Sequence, residues 1–87
     1  MKVKNMVSPN GNFVPNQFIV WDDDCTFFQS YDSMIAKKER GGRVLLDEIY
    51  WDYSRTTSKY RNLFLGEGIE ATRKKIASGE YTLTNLN

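Results

Sequence analysis

WDYSRTTSKYRNLFLG, residues 51–66, is where the residue pattern changes period from two to about 3.6, and its reading decides the fold. From Ser54 onward Tyr60, Leu63 and Phe64 fall on one side of a helix. Ser54 or Thr57 can cap its start, and Gly66 can end it. A second helical pattern follows in GIEATRKKIASGEY, with Ile69, Thr72 and Ile76 on one face and Gly79 placed as a C-terminal cap. Glu70 and Lys74 form an i, i+4 pair with the acid first, worth ~0.2–0.5 kcal/mol.

Upstream, the pattern is that of strands. KVKNMVS runs into the turn signal PNGN, and QFIVW is apolar on both faces, as a strand in the interior of a sheet would be. The acidic turn Asp22–Asp24 joins it to CTFFQS. SMIAKKE and RVLLDEIY flank Gly41 and Gly42, which favours a hairpin over the alternative of a short amphipathic helix at 31–39. Trp51 and Tyr53 alternate with Asp52, so a strand reaching this far places both aromatics in the core. The tail YTLTNLN either docks as an edge strand or stays extended. Strands first and helices last argue for α+β: a small antiparallel sheet of about four strands followed by two C-terminal helices packed on one face. With 87 residues, 40% of them hydrophobic, the chain reads as one domain over 1–87. Strands occupy about 2–50, helices about 54–78 and the extended tail 80–87. Stability should be roughly 4–13 kcal/mol, from ~0.05–0.15 kcal/mol per residue.

Twelve basic and eleven acidic residues leave a formal charge of +1, too little for a global field toward nucleic acid or an anionic membrane. Cys25 is the single cysteine, which excludes an internal disulfide and favours a reducing compartment; it reads as a small core residue. The first residues lack a signal-peptide run and no segment reaches the ~20 apolar residues of a membrane helix. A soluble, cytoplasmic protein is expected.

With no histidine in the chain, Ser-His-Asp and Cys-His chemistry are excluded and the commonest metal ligand is missing. Asp22, Asp23 and Asp24 lack the spacing of a calcium loop and read as a solvated turn. Asp47 and Glu48 face opposite sides of a strand, so they do not form a catalytic pair. No phosphate-binding or dinucleotide-binding glycine pattern occurs. Neither a cofactor nor a metal is called for, and an enzyme is the least favoured class.

What remains is the outer face of the first helix. Arg55 and Lys59 lie four apart, and Ser58 and Arg61 three apart on a neighbouring face. Near a helix N-terminus, where free N–H groups and the dipole also favour an anion, these four are the candidate binding residues. The plainer reading is a capped helix with a solvated basic side.

WDYSRTTSKYRNLFLG, with the upstream FFQSYDSMIA and the terminal IASGEYTLTNLN, resembles a group of small, largely uncharacterised proteins encoded by phages and mobile elements of Gram-positive bacteria. The resemblance covers roughly residues 18–87. Its most specific part is Trp51, Asp52, Tyr53, Ser54, Thr56, Thr57, Lys59 and Tyr60. It implies a viral origin, a bacterial host cytoplasm and no particular activity. On that footing the expected role is a non-enzymatic interaction protein that binds a host or phage macromolecule, inhibition of a host defence system being one such role. The alternative is a nucleic-acid-binding module in which Arg55, Lys59 and Arg61, with Arg73, Lys74 and Lys75, contact phosphates while tyrosines stack on bases. A monomer and a homodimer paired through an edge strand both remain open.

Overall fold

The computed structural model describes residues 1–87. Five strands, β1 (Lys2–Val7), β2 (Phe13–Trp21), β3 (Cys25–Ser30), β4 (Ser33–Glu39) and β5 (Val44–Asp47), form an antiparallel meander. Helices α1 (Arg55–Leu65) and α2 (Ile69–Ser78) then cross over to β6 (Tyr81–Thr84), which pairs parallel with β5. The sheet therefore has six strands in sequential order and is mixed. The expectation of about four antiparallel strands understates it, and residues 81–84 of the expected extended tail are its last strand. Tyr81 and Leu83, facing the helices, lie opposite Val44 and Leu46. Their apolar side chains give the tail a reason to dock.

The turns follow their residues. Gly11 (φ +85°) and Gly42 (φ +94°) supply the left-handed backbone that the first and fourth connections need. Asp22 Oδ1 accepts from Asp24 N (3.0 Å) and Cys25 N (2.7 Å), so the acidic run is a side-chain-braced turn. In β4 the register slips by one between Phe28 and Gln29, leaving Ile35 as an extra residue. The bulge lets Ile35 and Ala36, consecutive residues, both enter the core, which alternation alone would forbid.

That core joins Phe28, Ile35, Ala36, Leu46 and Tyr81 from the sheet to Tyr60 and Phe64 from α1, with Ile76 of α2 packed against it. The Phe28 and Phe64 rings sit 6.0 Å apart. Lys38 seals the far end of α1, lying 4.5 Å over the Phe64 ring while its ammonium donates to the Phe64 carbonyl. Glu67 fixes the α1–α2 turn to β6. It accepts from Tyr81 Oη (2.8 Å), Thr72 Oγ1 (2.7 Å) and Lys75 Nζ (2.6 Å).

Expectations change at the strand-to-helix junction and at two positions outside it. Strand β5 stops at Asp47, and residues 48–52 are turns. Tyr53 consequently leaves the core and is 64% exposed, while Trp51 is half-buried. Leu63, assigned to the packed face of α1, is 50% exposed, because α1 packs chiefly on β3 and β4. Cys25 is only half-buried.

Candidate binding surface

The junction is held by a carboxylate. Asp47, 1% exposed, accepts from Ile49 N (3.0 Å) and Tyr50 N (2.9 Å) on one oxygen, and from Leu86 N (2.9 Å) and Asn87 Nδ2 (3.0 Å) on the other. Asn87 in turn exchanges hydrogen bonds with both backbone groups of Met34. Burial pushes the Asp47 carboxyl up, but the donors from Leu86, Tyr50, Ile49 and Asn87 outweigh it and hold it below the usual value. One buried anion thus ties the loop, the tail and β4 together.

Ser54 caps α1: its Oγ accepts from Thr57 N (3.1 Å) and donates to Thr57 Oγ1 (3.1 Å). Thr57 Oγ1 meets Ser30 Oγ at 2.9 Å, so the head of the helix is locked to the last residue of β3. The next residue, Tyr31, adopts φ +55°, a conformation costly for a bulky side chain. It is held there from both sides, since Tyr31 N donates to Asn16 O (2.7 Å) and Gln29 Nε2 donates to Tyr31 O (2.7 Å).

Between this turn and the helix head lies an open hollow of about 620 Å³. Tyr31, Asp32 and Ser33 form one wall; Tyr50, Tyr53, Ser54 and Thr56 form the other. Tyr50 and Tyr53 pack edge to face at 5.5 Å, and Tyr31 is 53% exposed. Three aromatic faces, several hydroxyls and one carboxylate converge there. The set suits stacking, cation–π contact and hydrogen bonding.

The four residues singled out by sequence separate into two pairs. Arg55 and Lys59 are exposed on the outer side of α1, with the Lys59 ammonium 5.5 Å over its own neighbour Tyr60. Arg61 is 0% exposed. Its Nη1 donates to Trp51 O (2.7 Å), Asp52 Oδ1 (3.2 Å) and Ser58 Oγ (3.3 Å), its Nη2 donates to Asn62 Oδ1 (3.0 Å), and the guanidinium lies 5.4 Å over the Trp51 ring. Ser58 is half-buried and donates to Asp52 Oδ1 at 2.8 Å. The Ser58 hydrogen bond lowers the Asp52 carboxyl pKa; burial opposes this, and Arg61 and Arg73 reinforce it. Arg61 and Ser58 therefore brace the loop, and the basic surface shrinks to Arg55 and Lys59. A signal for this was present: Arg61 stands four after Thr57 and three before Phe64, on the buried stripe. Tyr31 and Asp32 were not flagged by sequence, because nothing in Tyr31's identity announces a positive φ.

Compared with known proteins, residues 1–81 match the model of DUF8033, a family of unknown function, and the chain belongs to that family. No curated protein and no solved structure matches the chain.

Proposed function

We propose that this protein is a non-enzymatic interaction module whose partner-facing surface is the tyrosine-lined hollow at the head of α1. The observation that carries the reading is Tyr31: a large aromatic kept half-exposed on a left-handed backbone that favours glycine or asparagine. Such strain costs about 1–3 kcal/mol and is retained where the side chain is needed. Tyr53 beside it is exposed, Tyr50 packs against both Tyr53 and the core cluster, and exposed tyrosines make effective binding anchors because they bury a large area at low entropic cost. The resemblance to phage proteins directs the search for the partner to bacterial host macromolecules, with components of host defence among them.

The nucleic-acid reading ranks second. Arg55 and Lys59 still flank the hollow's helix, and its tyrosines could stack bases. Against it, Arg61 is committed to Trp51 and Asp52, and Asp32 places a carboxylate in the hollow.

The test pairs stability with binding. Tyr31→Gly should leave the melting temperature unchanged or raise it, because it removes strain, whereas affinity for a partner captured by the wild-type chain from bacterial host lysate should fall at least about tenfold, as for an anchor worth ~1.4 kcal/mol or more. Tyr53→Ala should do the same. Undiminished capture by both variants would overturn this reading. Fluorescence anisotropy with single- and double-stranded DNA and RNA at low salt tests the second reading, which requires binding that weakens steeply with salt.

A further inference from the structure

We propose a second docking site, independent of the hollow: the free edge of β1 receives an extended, acidic segment of a partner, which adds to the sheet as a further strand. β1 ends the sheet, so the outward N–H and C=O groups of Lys2–Val7 have no strand beside them. The helices cover this end only in part. Helix α1 lies over β3 and β4, and α2 contacts β6. On the helix side of β1 and β2 lies an open shelf of about 340 Å³, lined by the half-buried Met6, Ile19 and Trp21, by Leu63 of α1 and by Lys4. Beyond Trp21 a second hollow of about 510 Å³ is lined by Lys2 together with Asp22 and Asp23, so the preference for acid is set along the β1 edge and not inside this hollow.

The charge selects the occupant. Lys2 lies opposite Trp21 and Lys4 opposite Ile19, so both lysines stand on the shelf side of the edge. Neither forms an ion pair within the chain. A strand laid beside β1 places every second side chain next to these ammonium groups, where Asp or Glu is favoured. Its remaining side chains emerge on the opposite face beside Val3, which continues into Val20 and suits apolar residues. The same lysines disfavour a second copy as occupant. Antiparallel pairing of two β1 edges brings Lys2 and Lys4 of both copies onto one face, and like charges across strands repel.

The experiment is an amide-shift titration of the ¹⁵N-labelled full chain with a synthetic octapeptide of alternating Val and Glu, and with its Val–Lys counterpart. The Val–Glu peptide is expected to shift the amides of Lys2–Val7 and the Trp21 indole, to bind about tenfold tighter than Val–Lys, and to weaken at high salt. In the Lys2→Glu/Lys4→Glu variant the preference should reverse. Shifts confined to the tyrosine hollow, equal affinity for both peptides, or no shift in β1 would overturn the proposal. So would concentration-dependent self-association through β1. Because Tyr31→Gly leaves β1 intact, failure here is separable from failure of the hollow.

Discussion

The Arg61 guanidinium donates to the carbonyl oxygen of Trp51 at 2.7 Å from a side chain with no solvent exposure, so the middle of α1 holds the loop that precedes it. Asp52, next in that loop, supplies the counter-charge at 3.2 Å. Arg61→Ala would leave the Trp51 carbonyl without its donor and the Asp52 carboxylate with Ser58 and Arg73 alone, and would open a void under the Trp51 ring. Arg61 is fully buried but Asp52 is exposed, so the loss is that of buried hydrogen bonds and packing, about 1–3 kcal/mol. Urea denaturation should show that loss for Arg61→Ala, whereas Lys59→Ala, on the exposed side, should stay within about 0.5 kcal/mol. Equal effects would mean that the guanidinium does not carry the loop.

What the sequence made legible is what local chemistry controls. Ser54, Gly66 and Gly79 cap as their types demand, the hairpin about Gly41–Gly42 forms, and the α+β order holds. The misses share a cause, which is that they depend on where elements sit relative to one another. Leu63 obeys helical period yet faces outward because the strands beneath it are β3 and β4. Tyr53 obeys alternation yet lies beyond the strand, because Asp47 draws the N–H groups of Ile49 and Tyr50 onto its carboxylate and turns the chain. Residues 81–84 carry strand-like alternation, but only the apolar faces of Val44 and Leu46 give them a place to pair. The hollow is assembled from Tyr31 and Tyr53, 22 positions apart in sequence, and no single stretch announces it.

Stability should fall on both sides of neutrality, for identifiable reasons. Burial pushes the Asp47 and Glu67 carboxyls up, yet their hydrogen bonds prevail and both titrate below their ordinary values; Asp52, led by its Ser58 bond, does the same. The unfolded chain therefore binds more protons as pH falls. The contribution of these groups is complete above the ordinary carboxylate pKa of ~4 and is lost as pH drops through it toward the folded values. On the alkaline side, burial and the Glu67 bond raise Tyr81, and the Glu67 bond raises Lys75. Their contribution is complete below pH ~10 and is lost as pH rises through the folded values. Urea midpoints should hold between pH ~5 and ~9 and decline outside that range. Asp47→Asn should cost about 1–3 kcal/mol at neutral pH and make the acid limb shallower; an unchanged limb would remove Asp47 from the account.

Gln17 leaves a whole buried amide unpaired, where Arg61 leaves only its Nε. It stands opposite Ser30 on the face beneath α1 and is 0% exposed, yet no group of the chain pairs with its Oε1 or its Nε2. Burying an amide without partners costs about 1–3 kcal/mol on mutational scales. Methionine has nearly the same length and flexibility and needs no hydrogen bond. Gln17→Met is therefore expected to stabilise the fold by about 1–3 kcal/mol, and each kcal/mol should raise the melting temperature by ~4–8 °C in a domain of this size. Gln17→Leu should gain less, because its branched side chain must fit a slot shaped for a straight one. The residue lies on the strand that also supplies Asn16, whose carbonyl holds Tyr31 in its left-handed turn. If Gln17→Met melts higher and Tyr31-dependent binding is retained, the amide is dispensable both to the fold and to the hollow. A lower melting temperature would show that the amide makes hydrogen bonds in solution that this packing does not display.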